Sequence, residues 1–573
     1  MFDRFQPKTE SEWIEQANRE TRKFESILFP YTFRFEDLML SATNTAESIG
    51  HRQTVEYELP ISQELICPTI SIMLAEPSLD TADIDMSRLG LEDVFSSLAQ
   101  ASRLFGGENK VSTIQSAALA YEHGDSTGIA SFVEHFVKEN KLGLTLYNSS
   151  VSNPNSPLSD KQVVDLTSLI NEQTNKNDIR WLGIRGDVLG NEGATAVQEL
   201  AASLSLLLAH WDQLTDQGVS VESLVMQTEL ALSLSGEFYL DVAKLKAARV
   251  LMRYILDAYG RADCNPYHIE IRAMSGTLNK SLYDPDANLM RNTVEALAAT
   301  VGEADVVSLR CHDFRYNQPS EFGIRMAANI QHLLREEGRL HDVKNSVDGA
   351  YFFTKLIDDM VEQAWKLFLV IEKEGGYYRS GVINLAEQFH PNIEKREQEL
   401  LQQKRTVVGV TRYANPLEKI TNDHDLDNKS VPSYMKRWEN VRRRIDKLPE
   451  EKEPLVAILG SRGTNNSMVS KKITFVTELL TTLGVSYSTA ENSLAASLQK
   501  GQPAVIIFCG DDTWYESHLE EEANHAELAL VPKIVVGTTP LLAELLQKRV
   551  IDAVIHAQAD LLPLLNIISR VLP

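Results

Sequence analysis

The chain has a few side-chain groups whose types and spacing could do chemistry. After the apolar run Trp181–Gly186 comes Asp187-Val188-Leu189-Gly190-Asn191-Glu192-Gly193-Ala194, in which only Asp187 and Glu192 titrate. Glu192 has a simpler role available, that of stabilising the positive end of the helix that follows. Arg272 closes a second run, Ile269–Arg272. A guanidinium at a strand end can grip a carboxylate or phosphate, or pair with an internal acid. His312 and Asp313 stand beside Arg310 and Arg315, close enough in sequence for an acid–base pair. Further on, Gly460-Ser461-Arg462-Gly463-Thr464-Asn465-Asn466-Ser467 is a small polar loop. A helix starting there could accept an anion. Glu520-Glu521-Glu522 with His525 reads as a solvated helix face, not a metal site.

These residues need elements to hold them, and the hydrophobic pattern supplies strand and helix in alternation. Trp181–Gly186, Leu230–Ser235, Ile269–Arg272 and Val306–Leu309 are short apolar runs. Each is followed by a stretch of helical period, such as Phe238, Val242, Leu245, Ala248 and Met252. Strands that run one way need crossover helices, so a parallel sheet covered by helices follows, and a (β/α)8 TIM barrel is the leading arrangement. Upstream the alternation is irregular. Thr54–Leu59, Ile66–Ala75 and Leu142–Tyr147 read as strands, Leu91–Phe105 and Val111–His123 as helices, so a closed and a degenerate barrel are equally compatible. Tyr351–Lys373 reads as a long helix ended by Gly375-Gly376.

Residues 1–27 are expected to form a helical arm, 28–380 the barrel-type domain and 381–453 a charged connector in which Thr406–Val410 adds a strand. From residue 454 to 573, five strand runs alternate with helices, the doubly wound, flavodoxin-like pattern. The net charge of −24 argues against nonspecific nucleic-acid binding and against docking on an anionic membrane. No run approaches the roughly 18 apolar residues of a membrane span. The four cysteines form no CxxC pair, so a reducing cytoplasm is the expected compartment.

Several stretches resemble one family. They are Gly193-Ala194-Thr195, Ala243–Arg249, Arg272 with Ser281-Leu282, Ile324–Gln331, Gly349-Ala350-Tyr351 and Glu372–Gly376. In order and spacing over roughly residues 180–420 they resemble methylmalonyl-CoA mutases, and the C-terminal region resembles the cobalamin domain of that family in pattern. The resemblance implies radical interconversion of methylmalonyl-CoA and succinyl-CoA with adenosylcobalamin, the cofactor starting the radical and the protein shielding it.

The same comparison shows where this chain departs from catalytic members. Val188 stands where they carry a histidine, and Gly276 where they carry a substrate-contacting glutamine. Lys246 replaces the arginine of a Met-Arg-Ala motif, so Lys246 and Arg272 remain as candidate CoA or substrate contacts. Arg462, Thr464 and Ser467 occupy the Asp-x-His-x-x-Gly positions whose histidine ligates cobalt. Loss at both sites implies the small, non-catalytic subunit of a heterodimeric mutase, with the cobalamin bound by the catalytic large subunit. The competing readings are an acyl-CoA-binding or regulatory pseudoenzyme and an autonomous mutase with unusual ligands.

Overall fold

The computed structural model describes residues 157–172 and 179–572, apart from 317–319, 343, 380–384, 421–431, 450–454, 461–466 and 492–502. It also describes five strands upstream: β1 (Thr32–Phe35), β2 (Leu38–Ser41), β3 (Thr69–Ile72), β4 (Ser116–Tyr121) and β5 (Gly143–Asn148). The expected N-terminal arm, Thr54–Leu59 and Leu91–Phe105 lie outside the described residues. The chain forms two compact units, residues 1–276, 292–310 and 324–389 in the first, 277–291, 311–323 and 390–573 in the second.

The first unit is built on β6 (Ile179–Arg180), β7 (Leu182–Arg185), β8 (Thr228–Leu234), β9 (Glu270–Ser275) and β10 (Val306–Leu309), with the upstream strands. Five strands pair in the order β3-β10-β9-β8-β7, all parallel, and β4-β5-β6 form a second parallel ladder. Among the described residues the two ladders are separate, so hydrogen bonds do not close a barrel. Val111–His123, expected as a helix, instead contains β4, paired in register with β5. Ser-Ala-Ala-Leu-Ala-Tyr is a short apolar run whose period does not separate helix from strand, and the neighbouring ladder decides it.

Strand alternation gives the β7–β10 region two distinct faces. Leu182, Ile184, Leu230, Leu232, Leu234, Ile271, Ala273, Val307 and Leu309 are buried in one continuous core. The register puts Glu229, Ala231 and Ser233 in line with Glu270, Arg272 and Met274 on the opposite face. Helices α1 (Asp160–Glu172), α2 (Gly186–Asn191), α3 (Ala196–Asp216), α4 (Val221–Gln227), α5 (Phe238–Ala258), α6 (Ala287–Val301), α7 (Glu321–His332) and α8 (Tyr351–Lys373) accompany these strands. Thr195 caps α3: its hydroxyl accepts from the Gln198 amide, while the Gln198 side chain accepts from the Thr195 amide. Helix α8 packs on α3 and α5 through Leu356, Met360, Ala364 and Phe368. It ends in a Schellman turn, with Gly375 and Gly376 at φ 107° and 81° and their amides bonded to Glu372 and Ile371 carbonyls.

The second unit holds β11 (Val456–Gly460), β12 (Tyr487–Glu491), β13 (Val505–Cys509), β14 (Lys533–Val536) and β15 (Ala553–Ile555). All five are parallel, in the order β12-β11-β13-β14-β15. Counted from β11 this is 2-1-3-4-5, so the connection direction reverses between β11 and β13. Helices α9 (Leu385–Leu401), α10 (Lys436–Asp446), α11 (Ser467–Thr482), α12 (Pro540–Gln547) and α13 (Leu562–Val571) supply the described long helical segments from residue 385 on, α9 belonging to this unit from residue 390. Thr406–Val410 is not a strand. Gly409 sits at φ 83°, the Val410 and Thr411 amides both turn back to the Val407 carbonyl, and a single bridge joins Val408 to Arg412.

Candidate functional site

Chemistry in a parallel α/β sheet collects at the carboxyl ends of the strands, so those ends are the first place to look. In the first unit β7 runs straight into α2. Gly186 and Gly190 make that passage possible by close approach. A Cβ on Gly186 would lie 2.2 Å from Ser203 Oγ, and one on Gly190 2.0 Å from Ser233 Oγ and 2.8 Å from Glu199. Asp187 is fully buried and takes two hydrogen bonds from Arg185, at 2.6 and 2.7 Å. Val188 is half-buried on α2.

Below that turn lies a second ionic knot. Glu199 on α3 accepts from the Ser233 amide at 2.6 Å, from Ser233 Oγ at 2.8 Å and from Lys244 Nζ on α5 at 2.7 Å. All three residues are buried. Burial pushes the Glu199 carboxyl up, and Lys244 pulls it down. Asp241 accepts from the amides of Ser235 and Gly236 and from Ser235 Oγ, which holds the turn after β8.

Arg272 is not at the end of its strand. It is the third residue of β9, which continues to Ser275. Its guanidinium makes two hydrogen bonds to Glu229 on β8, at 2.8 and 2.7 Å, and a third to Ser308 Oγ on β10 at 3.0 Å. Arg272 and Glu229 are both fully buried. Burial and the neighbouring Glu229 carboxylate push the Glu270 carboxyl up. Lys246 lies on α5, where its ammonium meets Glu303 at 2.8 Å and Asp348 at 3.6 Å. Both expected CoA or substrate cations are therefore engaged by acids of the same unit. Gly276 is buried directly after β9, and next to it Ser275 accepts the Arg310 amide at 2.7 Å. Burial lowers the Arg310 guanidinium to about 10.

The segments of the second unit that follow β9 and β10 do not form an acid–base pair. His312 is buried, with Nε2 3.7 Å from Asp286 and Nδ1 3.9 Å from Asp313, beyond hydrogen-bond reach. Arg315 pairs with Glu439 at 2.9 Å. Arg462 and Thr464 lie outside the described residues, while Ser467 is exposed and opens α11. At the tips of β11 and β13, Lys472 donates to the Gly510 carbonyl at 2.7 Å and sits 4.8 Å from the centre of the Tyr515 ring. The Tyr515 hydroxyl donates to the Val536 carbonyl at 2.6 Å and accepts the Gly510 amide at 2.9 Å. Glu520, Glu521 and His525 are exposed. Among the described residues no three His, Cys, Asp or Glu side chains are placed to hold a metal ion, and no helix is long and apolar enough to cross a membrane.

With this geometry in place, relatives are informative. The methylmalonyl-CoA mutase family model matches residues 148–475, more than half of the chain. The chain belongs to the methylmalonyl-CoA mutase family. Among curated mutase relatives, it is 26% identical over 409 residues to the methylmalonyl-CoA mutase small subunit of Porphyromonas gingivalis, covering 68% of this chain and 65% of that one. It is 29% identical over 253 residues to the methylmalonyl-CoA mutase of Escherichia coli, covering 44% of this chain and 35% of that one. Against the mutase large subunit of Porphyromonas gingivalis the identity is 26% over 265 residues, or 45% and 37% of the two chains. The chain thus spans somewhat under two thirds of the length of the small subunits it matches.

Sequence reasoning missed Glu229, the acid that takes up Arg272, because the strand was read from Leu230. The signal was present: Leu230, Leu232 and Leu234 alternate with Glu229, Ala231 and Ser233, which places Glu229 in step with the strand. The Glu199–Lys244 pair and Lys472 carried no comparable signal, since their partners are distant in sequence.

Proposed function

We propose that this chain is the small, non-catalytic subunit of an adenosylcobalamin-dependent methylmalonyl-CoA mutase, and that it stabilises a catalytic large subunit. The observation that carries this reading is the state of Arg272. The family resemblance makes it a substrate-side cation, yet here its guanidinium is fully buried against Glu229 and Ser308. With Glu229 on one edge and Glu270 3.9 Å away, this guanidinium is neutralised by acids of its own sheet. Val188 and Gly276 offer no side-chain donor in place of the family's histidine and glutamine.

The arrangement of the first unit supports a (β/α)8 barrel, whole or degenerate. Strand β3 lies beside β4 and β5 beside β7, so the neighbour relations run from β3 round to β10 and back to β3, a ring of seven strands among the described residues, one short of eight. The 2-1-3-4-5 order supports a flavodoxin-like second unit.

The family implies cobalamin, and the described residues at the β11 and β13 tips do not fit it. Lys472 bridges across to Gly510 there, and the Tyr515 hydroxyl is bonded on both sides. A protonated ammonium has no lone pair for cobalt. The cofactor is accordingly assigned to the partner.

Co-expression with a mutase large subunit from the same source tests the proposal. A one-to-one complex by native mass supports it. A chain that remains a homo-oligomer beside its partner contradicts it.

A further inference from the structure

At the amino ends of β8 and β9, two acids and two guanidinium groups of the first unit meet. Glu229 accepts two hydrogen bonds from Arg272 at 2.8 and 2.7 Å, and Glu270 opens β9 with Oε1 3.9 Å from the same guanidinium. The Glu270 and Glu229 carboxyls are hydrogen-bonded to each other. Two ionised carboxylates have no donor between them, so one of the pair carries a proton. Glu229 is the ionised member, because both of its oxygens face Arg272, and Glu270 is the acid that donates.

The fourth group is idle. Arg180 on β6 lies with Nε 3.6 Å from Glu270 Oε2, beyond hydrogen-bond reach. Its Nε and Nη1 are buried and have no hydrogen-bond partner among the described residues. Buried N–H groups left without an acceptor are costly, and Glu270 is the acid beside them. Closing the 3.6 Å gap to a charge-assisted bond of about 2.8 Å takes a movement of about 0.8 Å. Glu270 thus stands between two partners that favour opposite protonation states: Glu229 bonds its neutral form, and Arg180 matches its ionised form. Among the described residues, the other titratable groups nearby do not compete. Asp305, before β10, is taken up by Arg249 and by the Ile271 amide, and His268 is exposed.

We propose that Glu270 is a proton-operated latch between the two parallel ladders: protonated it bonds Glu229 and leaves Arg180 idle, ionised it turns to Arg180 and ties β6 to β9. Arg180 belongs to the β4-β5-β6 ladder and Glu270 to the β3-β10-β9-β8-β7 ladder, so the switched contact joins strands that share no ladder hydrogen bonds. Burial and the Glu229 carboxylate push the Glu270 carboxyl up to about 8, which places the exchange in a mildly alkaline range. The side chain is 22% exposed, so the released proton has a path to solvent. The latch goes beyond the mutase reading and does not depend on the subunit assignment.

The test is infrared difference spectroscopy of the full chain titrated from about pH 6 to about pH 10, with E270Q as the reference, because the carbonyl stretch of a neutral acid is resolved from that of a carboxylate. The parent should show a protonated carboxyl that E270Q lacks, lost as the pH rises with a midpoint of about 8. R180M should move that midpoint upward by about one pH unit, since the ionised form loses its counter-charge. R180K, which keeps a cation, should move it less. E270Q has the size and hydrogen-bonding shape of the neutral acid, so the parent spectrum keeps a folded reference even if the Arg180 variants do not fold. A parent spectrum that matches E270Q at about pH 6, or a midpoint that R180M leaves unmoved, overturns the proposal.

Discussion

Glu229 on β8 and Arg272 on β9 face each other through two parallel hydrogen bonds of 2.8 and 2.7 Å, with neither side chain reaching solvent. The pair crosses two adjacent strands and is continued by Ser308 on a third. It fixes the register of the sheet and neutralises the cation that the family resemblance gives as a substrate contact.

R272A should destabilise the first unit by about 3–5 kcal/mol, because it leaves the Glu229 carboxylate buried and unpaired. The double variant E229M/R272M should recover most of that loss, since removing both charges removes the desolvation cost as well. Urea unfolding of E229M, R272M and the double variant measures the coupling. Additive losses would show that the pair is not the unit that matters.

G190A should cost about 3 kcal/mol, because its Cβ would stand 2.0 Å from Ser233 Oγ and 2.8 Å from Glu199 inside a filled core. Adding S233A should relieve only part of it, as Glu199 remains. Thermal unfolding of the two variants reads the difference.

The polar side of the sheet was only partly legible in the sequence. Alternation from Trp181 to Glu337 located four strands and the long helices that follow them, but not the short helices α2 and α4 or the true ends of β8 and β9, because buried parallel strands and amphipathic helices carry opposite periods only over longer stretches. Ser116–Tyr121 differs from the expected helix because Ser-Ala-Ala-Leu-Ala-Tyr is too short and too alanine-rich to show a distinctive period, and the in-register ladder with Gly143–Asn148 settles it only in three dimensions. Arg272 was visible as a cation, but its acid lies 43 residues upstream and no local pattern joins them. Thr406–Val410 has strand-like composition, yet Gly409 at φ 83° turns it back on itself.

His210 gives a pH signature. It is buried on α3, 3.4 Å from the Tyr378 hydroxyl, and burial holds its imidazole down at about 4. The unfolded imidazole protonates near 6.5, so below that pH the unfolded state binds the extra proton. Stability contributed above about 6.5 is therefore lost as the pH falls towards 4, by about 3 kcal/mol. H210Q should remove this part of the acid dependence, measured as the difference between its urea midpoint and that of the parent across the window. An unchanged difference from pH 7 to 4 would rule out a neutral buried imidazole.

Restoring one lost group should not restore chemistry. V188H returns an imidazole after β7, but Gly276 and the Arg272–Glu229 pair are unaltered. In complex with a large subunit, V188H should leave turnover per complex the same within experimental scatter. A second set of turnovers would mean that the chain retains a working substrate site.

The most direct measurement compares methylmalonyl-CoA turnover, with adenosylcobalamin supplied, by the isolated chain and by its complex with the large subunit. The account predicts none from the isolated chain, and turnover in the complex that tracks one cobalamin per heterodimer. Turnover or stoichiometric cobalamin binding by the isolated chain would contradict it.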